Sequence, residues 1–256
     1  MRNENTARPT VVRETESAGM REMEFRLQVQ ERSVPGIVWL PSGAKGSRPL
    51  VLVGHGGTGD KKAHFVQDAV RLLVQDFGFV VAAIDGPVHG DRRSASASPD
   101  ELREEFRKAW DEQDTITPMV TDWRAVLDYL CRLPEVDPDA VGYYGISMGT
   151  AYGLPLVAAE SRISRAVLGM WGLSRKHSDR LLADAWRIRC PLLFLQQWHD
   201  ERFTREDQAR LFDAFGSEDR RMYVYPGGHR DPDATRLADI AHFLTAGLAP
   251  GQRSGP

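Results

Sequence analysis

The chain has 256 residues, 41% of them hydrophobic and 27% charged, which suits one compact unit with a sizeable core and excludes a largely disordered polymer. Thirty-three basic side chains against thirty-six acidic ones leave a formal charge of -3. That balance excludes a field able to hold the protein on nucleic acid or on an anionic membrane, so the expected partner is a small molecule.

The first twenty residues mix both charges with polar side chains and contain no apolar run of signal-peptide length, so a cytoplasmic location is expected. Residues 1–20 and 250–256 read as flexible ends around a single domain spanning 21–249. Met23 to Val29 and Pro35 to Leu40 read as an antiparallel pair of strands. From there strand-like runs alternate with helical segments: Leu50 to Val53, Phe79 to Ile84, Val141 to Tyr144, Ala166 to Met170, Leu192 to Gln196 and Met222 to Tyr225. Near-continuous apolar character is what strands covered on both faces require. The longest apolar stretch, Phe77 to Ile84, is far too short to span a bilayer. The pattern predicts an α/β fold with a mostly parallel central sheet of about eight strands, flanked by helices.

Apolar residues at helical spacing from Phe65 to Val74 stop at Gly78, a natural helix end. Further helices are expected over Trp123 to Leu133 and Leu237 to Leu248. Cys131 and Cys190 fall in helical and strand patterns and read as small core residues. Residues 86–117 exceed a minimal crossover, with a polar turn followed by the charged run ELREEFRKAWDEQ. This segment either borders an active-site mouth or forms a solvated helix with a charged face.

Gly145, Ser147 and Gly149 stand in a G-x-S-x-G pattern directly after a strand and before a helix of small residues. A serine held on so tight a turn needs neighbours with almost no side chain, and the helix that follows directs its amino terminus at the hydroxyl. Ser147 is therefore the candidate nucleophile. Pro155 inside that helix predicts a kink or a short first segment.

A serine nucleophile needs a base, and the base needs an orienting carboxylate. Asp200 follows the strand Leu192 to Gln197, where ligand chemistry collects at the carboxyl ends of parallel strands. His229 follows the glycine pair Gly227 and Gly228 after the last strand. Asp179, Asp184 and Glu201 compete as the acid; His177, His199 and His242 are weaker candidates for the base. Oxyanion donors are expected from the backbone N–H of Met148 and of Gly57, the latter in His55-Gly-Gly-Thr-Gly59. A simple tight turn is the alternative reading of that loop. His55, Gly56, Thr58, His89, Arg92 and Trp171 are candidate substrate contacts, although His55 could instead hold the loop without titrating. Arg92 and Arg93 could meet an acidic substrate group or could be solvated loop arginines.

Taken with HGGTGDKK at 55–62, residues 122–149 and PGGH at 226–229, residues 49–245 resemble the dienelactone hydrolase-like and prolyl-oligopeptidase-like branch of the α/β-hydrolases. The resemblance implies carboxylesterase activity on small acyl esters, with no cofactor and no metal. Thioester cleavage or acyl transfer by the same three residues is the related alternative, and a noncatalytic receptor on the same fold is the alternative of another class. Dienelactone hydrolases proper use a cysteine nucleophile, whereas this chain has Ser147, which argues against dienelactone as substrate. The short interval between Trp171 and Cys190 leaves no room for a large lid domain. A homodimer remains open.

Overall fold

A strand covered on both faces must be apolar at consecutive positions, and alternate residues of each such run are shared here between two cores. The computed structural model describes residues 9–93 and 95–248. The strands are β1 (Thr10–Ser17), β2 (Met20–Val29), β3 (Arg32–Pro41), β4 (Arg48–Gly54), β5 (Val80–Ile84), β6 (Val136–Gly145), β7 (Ile163–Gly169), β8 (Leu192–Gln197) and β9 (Arg220–Tyr225). They form one sheet in the order β1-β2-β3-β5-β4-β6-β7-β8-β9. β1 to β3 pair antiparallel, and β3 joins β5 antiparallel. From β5 to β9 every pairing is parallel.

The helices are α1 (His64–Val70), α2 (Pro99–Glu112), α3 (Ile116–Leu130), α4 (Met148–Ala159), α5 (Ser178–Arg187), α6 (Arg205–Asp213) and α7 (Ala234–Leu248). On one face Leu50, Leu52, Tyr143 and Phe194 pack with Trp123, Leu127 and Leu154. On the other, Val51, Val53, Tyr144 and Leu193 pack with Phe65, Val70, Ile240 and Phe243. Burying each such side chain contributes roughly 1.5–3 kcal/mol, so every strand residue of this kind is used.

Several expectations change in the structure. The lead-in expected to be unstructured contains β1, a strand exposed along almost its whole length and therefore without a hydrophobic signature. The remainder of the expected flexible ends, residues 1–8 and 250–256, lies outside the described residues. β9, read as doubly covered, is an edge strand that is largely half-buried or exposed. The helix over 65–74 is α1 followed by a wide π-type turn, Arg71–Asp76, and Gly78 closes it at φ +67°. α4 runs unbroken through Pro155, with buried residues all round, as befits a helix sandwiched between sheet and neighbours. Cys131 and Cys190 are free thiols, and burial pushes that of Cys190 up to about 12.

Between β7 and β8 the chain holds only α5 and its loops, so no large lid covers the carboxyl ends of the strands. Among the described residues no helix is long and apolar enough to cross a membrane. The chain passes from β4 to β5 on one side and later to β6 on the other, so the strand order reverses at β4 and β6. The crevice outside such a reversal is where parallel α/β sheets bind ligands.

Candidate active site

β6 ends at Gly145 and α4 begins at Met148, leaving Ser147 on a turn with φ 54° and ψ -121°. That conformation costs about 1–3 kcal/mol and persists only where surrounding bonds over-determine it. The Ser147 N–H donates to the Gly169 carbonyl at 3.0 Å, Thr150 Oγ1 accepts the Gly169 N–H at 2.7 Å, and the Tyr143 hydroxyl donates to the Gly149 carbonyl at 2.7 Å. Gly149 is required sterically: a Cβ there would lie 2.4 Å from the Gly54 carbonyl oxygen of β4.

The loops after β8 and β9 are joined beyond their strands. Trp198 N–H donates to Tyr225 O at 2.8 Å and His199 N–H to Gly227 O at 2.9 Å. This brings Asp200 and His229 together: His229 Nδ1 lies 2.9 Å from Asp200 Oδ2, and Nε2 lies 2.8 Å from Ser147 Oγ. Since the carboxylate can only accept, Nδ1 carries the proton and Nε2 is free to accept from the serine hydroxyl. Burial acts to raise the Asp200 carboxyl, but the hydrogen bond from His229, with the N–H groups of Arg202 and Phe203, outweighs it and holds the group below its ordinary value. Of the competing acids, Glu201 instead accepts the backbone N–H of His229 at 2.9 Å, and Asp184 pairs with Arg180 and Arg187 on α5. Asp179 sits in the first turn of α5, His177 binds the Trp110 carbonyl, and His242 lies within α7.

Met148 is the first residue of α4, so its N–H has no preceding turn to bond. Gly57 lines a cavity of about 100 Å³ together with Ser147. Phe106 and Trp110 from α2, Trp171 after β7, and Phe203 make the apolar wall; Arg103, Arg107, Arg175, Arg202 and Asp111 complete the lining. The 86–117 segment thus borders the mouth. Its helix α2 opens with a capping box between Ser98 and Glu101 and Pro99 at the first position, then buries Phe106, Ala109 and Trp110, while Arg103, Arg107 and Asp111 stand at the cavity rim.

Of the expected substrate contacts, Trp171 lines the cavity, whereas His55, Gly56, Thr58, His89 and Arg92 do not. His55 is buried, donating from Nδ1 to Gly56 O at 2.9 Å and accepting the Gly86 N–H on Nε2 at 2.8 Å. Only the neutral ring makes both bonds, and burial, reinforced by neighbouring His89, pushes its pKa down to about 3. His89, also buried, faces the carbonyls of Pro87 and Gly57. Arg92 is tied to Asp122 at 2.9 Å and to the Asp85 carbonyl, and Arg93 to Glu105. These side chains are engaged in holding the loops together. Thr58 is exposed outside the cavity.

Phe106, Trp110 and Phe203 escaped the sequence reading, although an apolar i, i+3, i+4 stripe inside the charged run marks the α2 face. Among the described residues no group of three or more His, Cys, Asp or Glu side chains could hold a metal ion.

The sequence pattern of the Dienelactone hydrolase family matches residues 34–229. A polyethylene-glycol-bound cold-adapted esterase from an Arctic intertidal metagenomic library superimposes with a TM-score of 0.83 at 32% identity, over 93% of this chain and 98% of that one. The 2,6-dihydropseudooxynicotine hydrolase of Paenarthrobacter nicotinovorans is 30% identical over 178 residues, 70% of this chain, and the match spans 41% of that protein's length. An uncharacterized protein of Mycobacterium tuberculosis is 25% identical over 235 residues, covering 84% of this chain and 76% of that protein. The chain belongs to the dienelactone hydrolase family, a family of hydrolases.

Proposed function

We propose that the protein is a serine esterase acting on small esters with a short acyl group. The observation that carries this reading is the continuous relay from Ser147 Oγ through His229 to Asp200, at 2.8 and 2.9 Å, opening on an apolar cavity. Ser147 Oγ attacks the ester carbonyl while His229 Nε2 takes its proton, and Asp200 stabilises the imidazolium that forms. The N–H groups of Met148 and Gly57 receive the oxygen as it becomes negative; one such donor is worth about 3–4 kcal/mol in comparable sites. The proton passes from His229 to the leaving alcohol, and water, activated by the same base, releases the acyl group from Ser147. The description of the 32%-identical Arctic protein as an esterase supports an ester substrate, and the small volume of the cavity supports a short acyl chain.

The test is hydrolysis of a p-nitrophenyl ester series from acetate to decanoate by the wild type and by Ser147→Ala. The expected result is turnover highest for the short chains and reduced about 10⁴-fold or more in the variant. Equal activity in both proteins would remove Ser147 from the mechanism.

A further inference from the structure

The two oxygens of Asp200 are held in different ways. Oδ1 accepts the backbone N–H of Arg202 at 2.8 Å and of Phe203 at 3.1 Å, so the side chain closes on its own loop in a tight turn. Oδ2 is the oxygen nearer His229 Nδ1, at 2.9 Å. Its one other donor among the described residues is the side chain of Gln208, whose Nε2 stands 3.5 Å away. Gln208 belongs to α6 and is fully buried. The same Nε2 donates to the Phe203 carbonyl at 3.1 Å. Both neighbours can only accept, so the amide must turn its nitrogen toward them. Its Oε1 is thereby left buried without a hydrogen-bond partner, a penalty that an apolar side chain of the same length would avoid.

We propose, building on the esterase reading, that Gln208 is a positioning residue of the relay: its amide fixes the second oxygen of Asp200 and keeps the carboxylate plane in line with His229 Nδ1. Bonds to Oδ1 alone would leave the carboxylate free to turn about that oxygen and carry Oδ2 away from the imidazole. The bond to Phe203 O gives the amide its direction, since one hydrogen is used on that carbonyl and the other is left to face Oδ2. The mount is firm. Thr204 caps α6 by accepting the Asp207 N–H at 3.1 Å, the Gln208 N–H bonds Thr204 O at 3.2 Å, and Gln196 of β8 donates to the Arg205 carbonyl at 3.1 Å. The side chains of Asp200 and His229 are buried, at 0% and 5% exposure, and there a contact of 3.5 Å between a dipole and a carboxylate keeps more of its strength than it would in water.

The experiment compares the wild type with Gln208→Met and Gln208→Glu. Steady-state hydrolysis of p-nitrophenyl acetate gives kcat and KM. The rate at which a fluorophosphonate probe labels Ser147 reports activation of the serine whether or not an ester is turned over. Methionine nearly conserves length and volume, so a side chain that only fills space tolerates it. A positioning residue does not: in Gln208→Met kcat is expected to fall about tenfold or more, a fraction of the roughly 10⁴-fold that loss of the acid itself costs, with KM within about threefold and labelling slowed in parallel. Gln208→Glu keeps the shape and gives up at least one of the two N–H donors, so it should show the same changes and frees the test from the folding of a single variant. Values of kcat and of the labelling rate within about threefold of wild type in both variants, or a loss confined to KM, overturn the proposal. Labelling of Ser147 that is slowed by Gln208→Met in a protein that cleaves no ester would sink the esterase reading and keep the positioning role. Ser147-dependent ester cleavage indifferent to both variants would do the reverse, and a wild type that neither cleaves nor labels would remove both.

Discussion

His55 Nε2 accepts the backbone N–H of Gly86 at 2.8 Å, linking the loop after β4 to the loop after β5 through an imidazole that must be neutral to do so. On its other side the same ring donates to the carbonyl of Gly56, whose peptide unit also contains the N–H of Gly57. The orientation of that proposed oxyanion donor is therefore coupled to the protonation of a side chain that never meets substrate.

Acid should act on this link first. The His55 pKa is about 3 in the folded protein against an ordinary 6.5, so the unfolded chain binds the extra proton between those values. Stability contributed by neutral His55 is complete above pH 6.5 and is lost as pH falls from 6.5 toward 3, by about 2 kcal/mol at pH 5. Urea denaturation at pH 8 and pH 5 should show this loss in the wild type and a smaller one in His55→Gln, which in turn is less stable at pH 8. An identical acid dependence in the two proteins would assign the effect to other groups.

The two acids after β8 have separable duties. Asp200→Asn leaves the shape but no longer dictates which nitrogen of His229 carries the proton, so kcat should fall by about 10³–10⁴. Glu201→Gln keeps an acceptor for the His229 N–H and should stay within about threefold of wild type, because a neutral acceptor can replace most of that bond. Steady-state kinetics on a p-nitrophenyl ester would decide; a larger loss in the Glu201 variant would exchange the assignments.

Glycine is tolerant of change at one end of the site and intolerant at the other. A Cβ on Gly149 meets the Gly54 carbonyl at 2.4 Å, backbone against backbone, while one on Gly56 meets nothing within 4 Å. Gly149→Ala should destabilise by about 2 kcal/mol or more and Gly56→Ala by less than about 0.5 kcal/mol. Thermal melting of the two variants side by side tests the contrast.

Just beyond β5, the buried Asp85 carboxylate accepts the N–H of Lys61 and of Asp91, and its Oδ2 lies 2.7 Å from Lys61 Nζ. Asp85→Ala would leave the Lys61 ammonium, itself only 3% exposed, with Asp91 as its remaining ion-pair partner. The expected cost is about 3–5 kcal/mol in denaturant unfolding, with part of it recovered in K61M/D85A. A loss below about 1 kcal/mol would mean that water replaces the pair.

What could be read in the chain was local. The elbow was legible because steric crowding around Ser147 dictates glycine two residues before and after it. β4 to β8 were legible because strands covered on both faces leave long apolar runs. β1 was not, since a strand exposed on both faces looks like polar coil. Most of the cavity wall escaped because Phe106, Trp110 and Phe203 come from segments far apart in the chain, whereas Trp171, just beyond β7, was among the candidate contacts. The loop-holding alternative for His55 was legible and is the one the ring adopts, whereas nearness of His89 to the motifs does not reveal that its ring turns inward to the carbonyls of Pro87 and Gly57.

β1 also bears on how the folded protein behaves in company. β2 buries Met23, Phe25, Leu27 and Val29 on one face, and without β1 its outer edge would present a row of unpaired backbone groups beside that apolar layer. Such an edge is a template for another chain to add to, and so a starting point for aggregation. β1 occupies it with a strand of Arg13, Glu14 and Glu16, bulged between Val11 and Arg13, whose charge and irregular twist make a poor surface for further pairing. The strand that contributes least to the core thus acts as the sheet's shield against self-association.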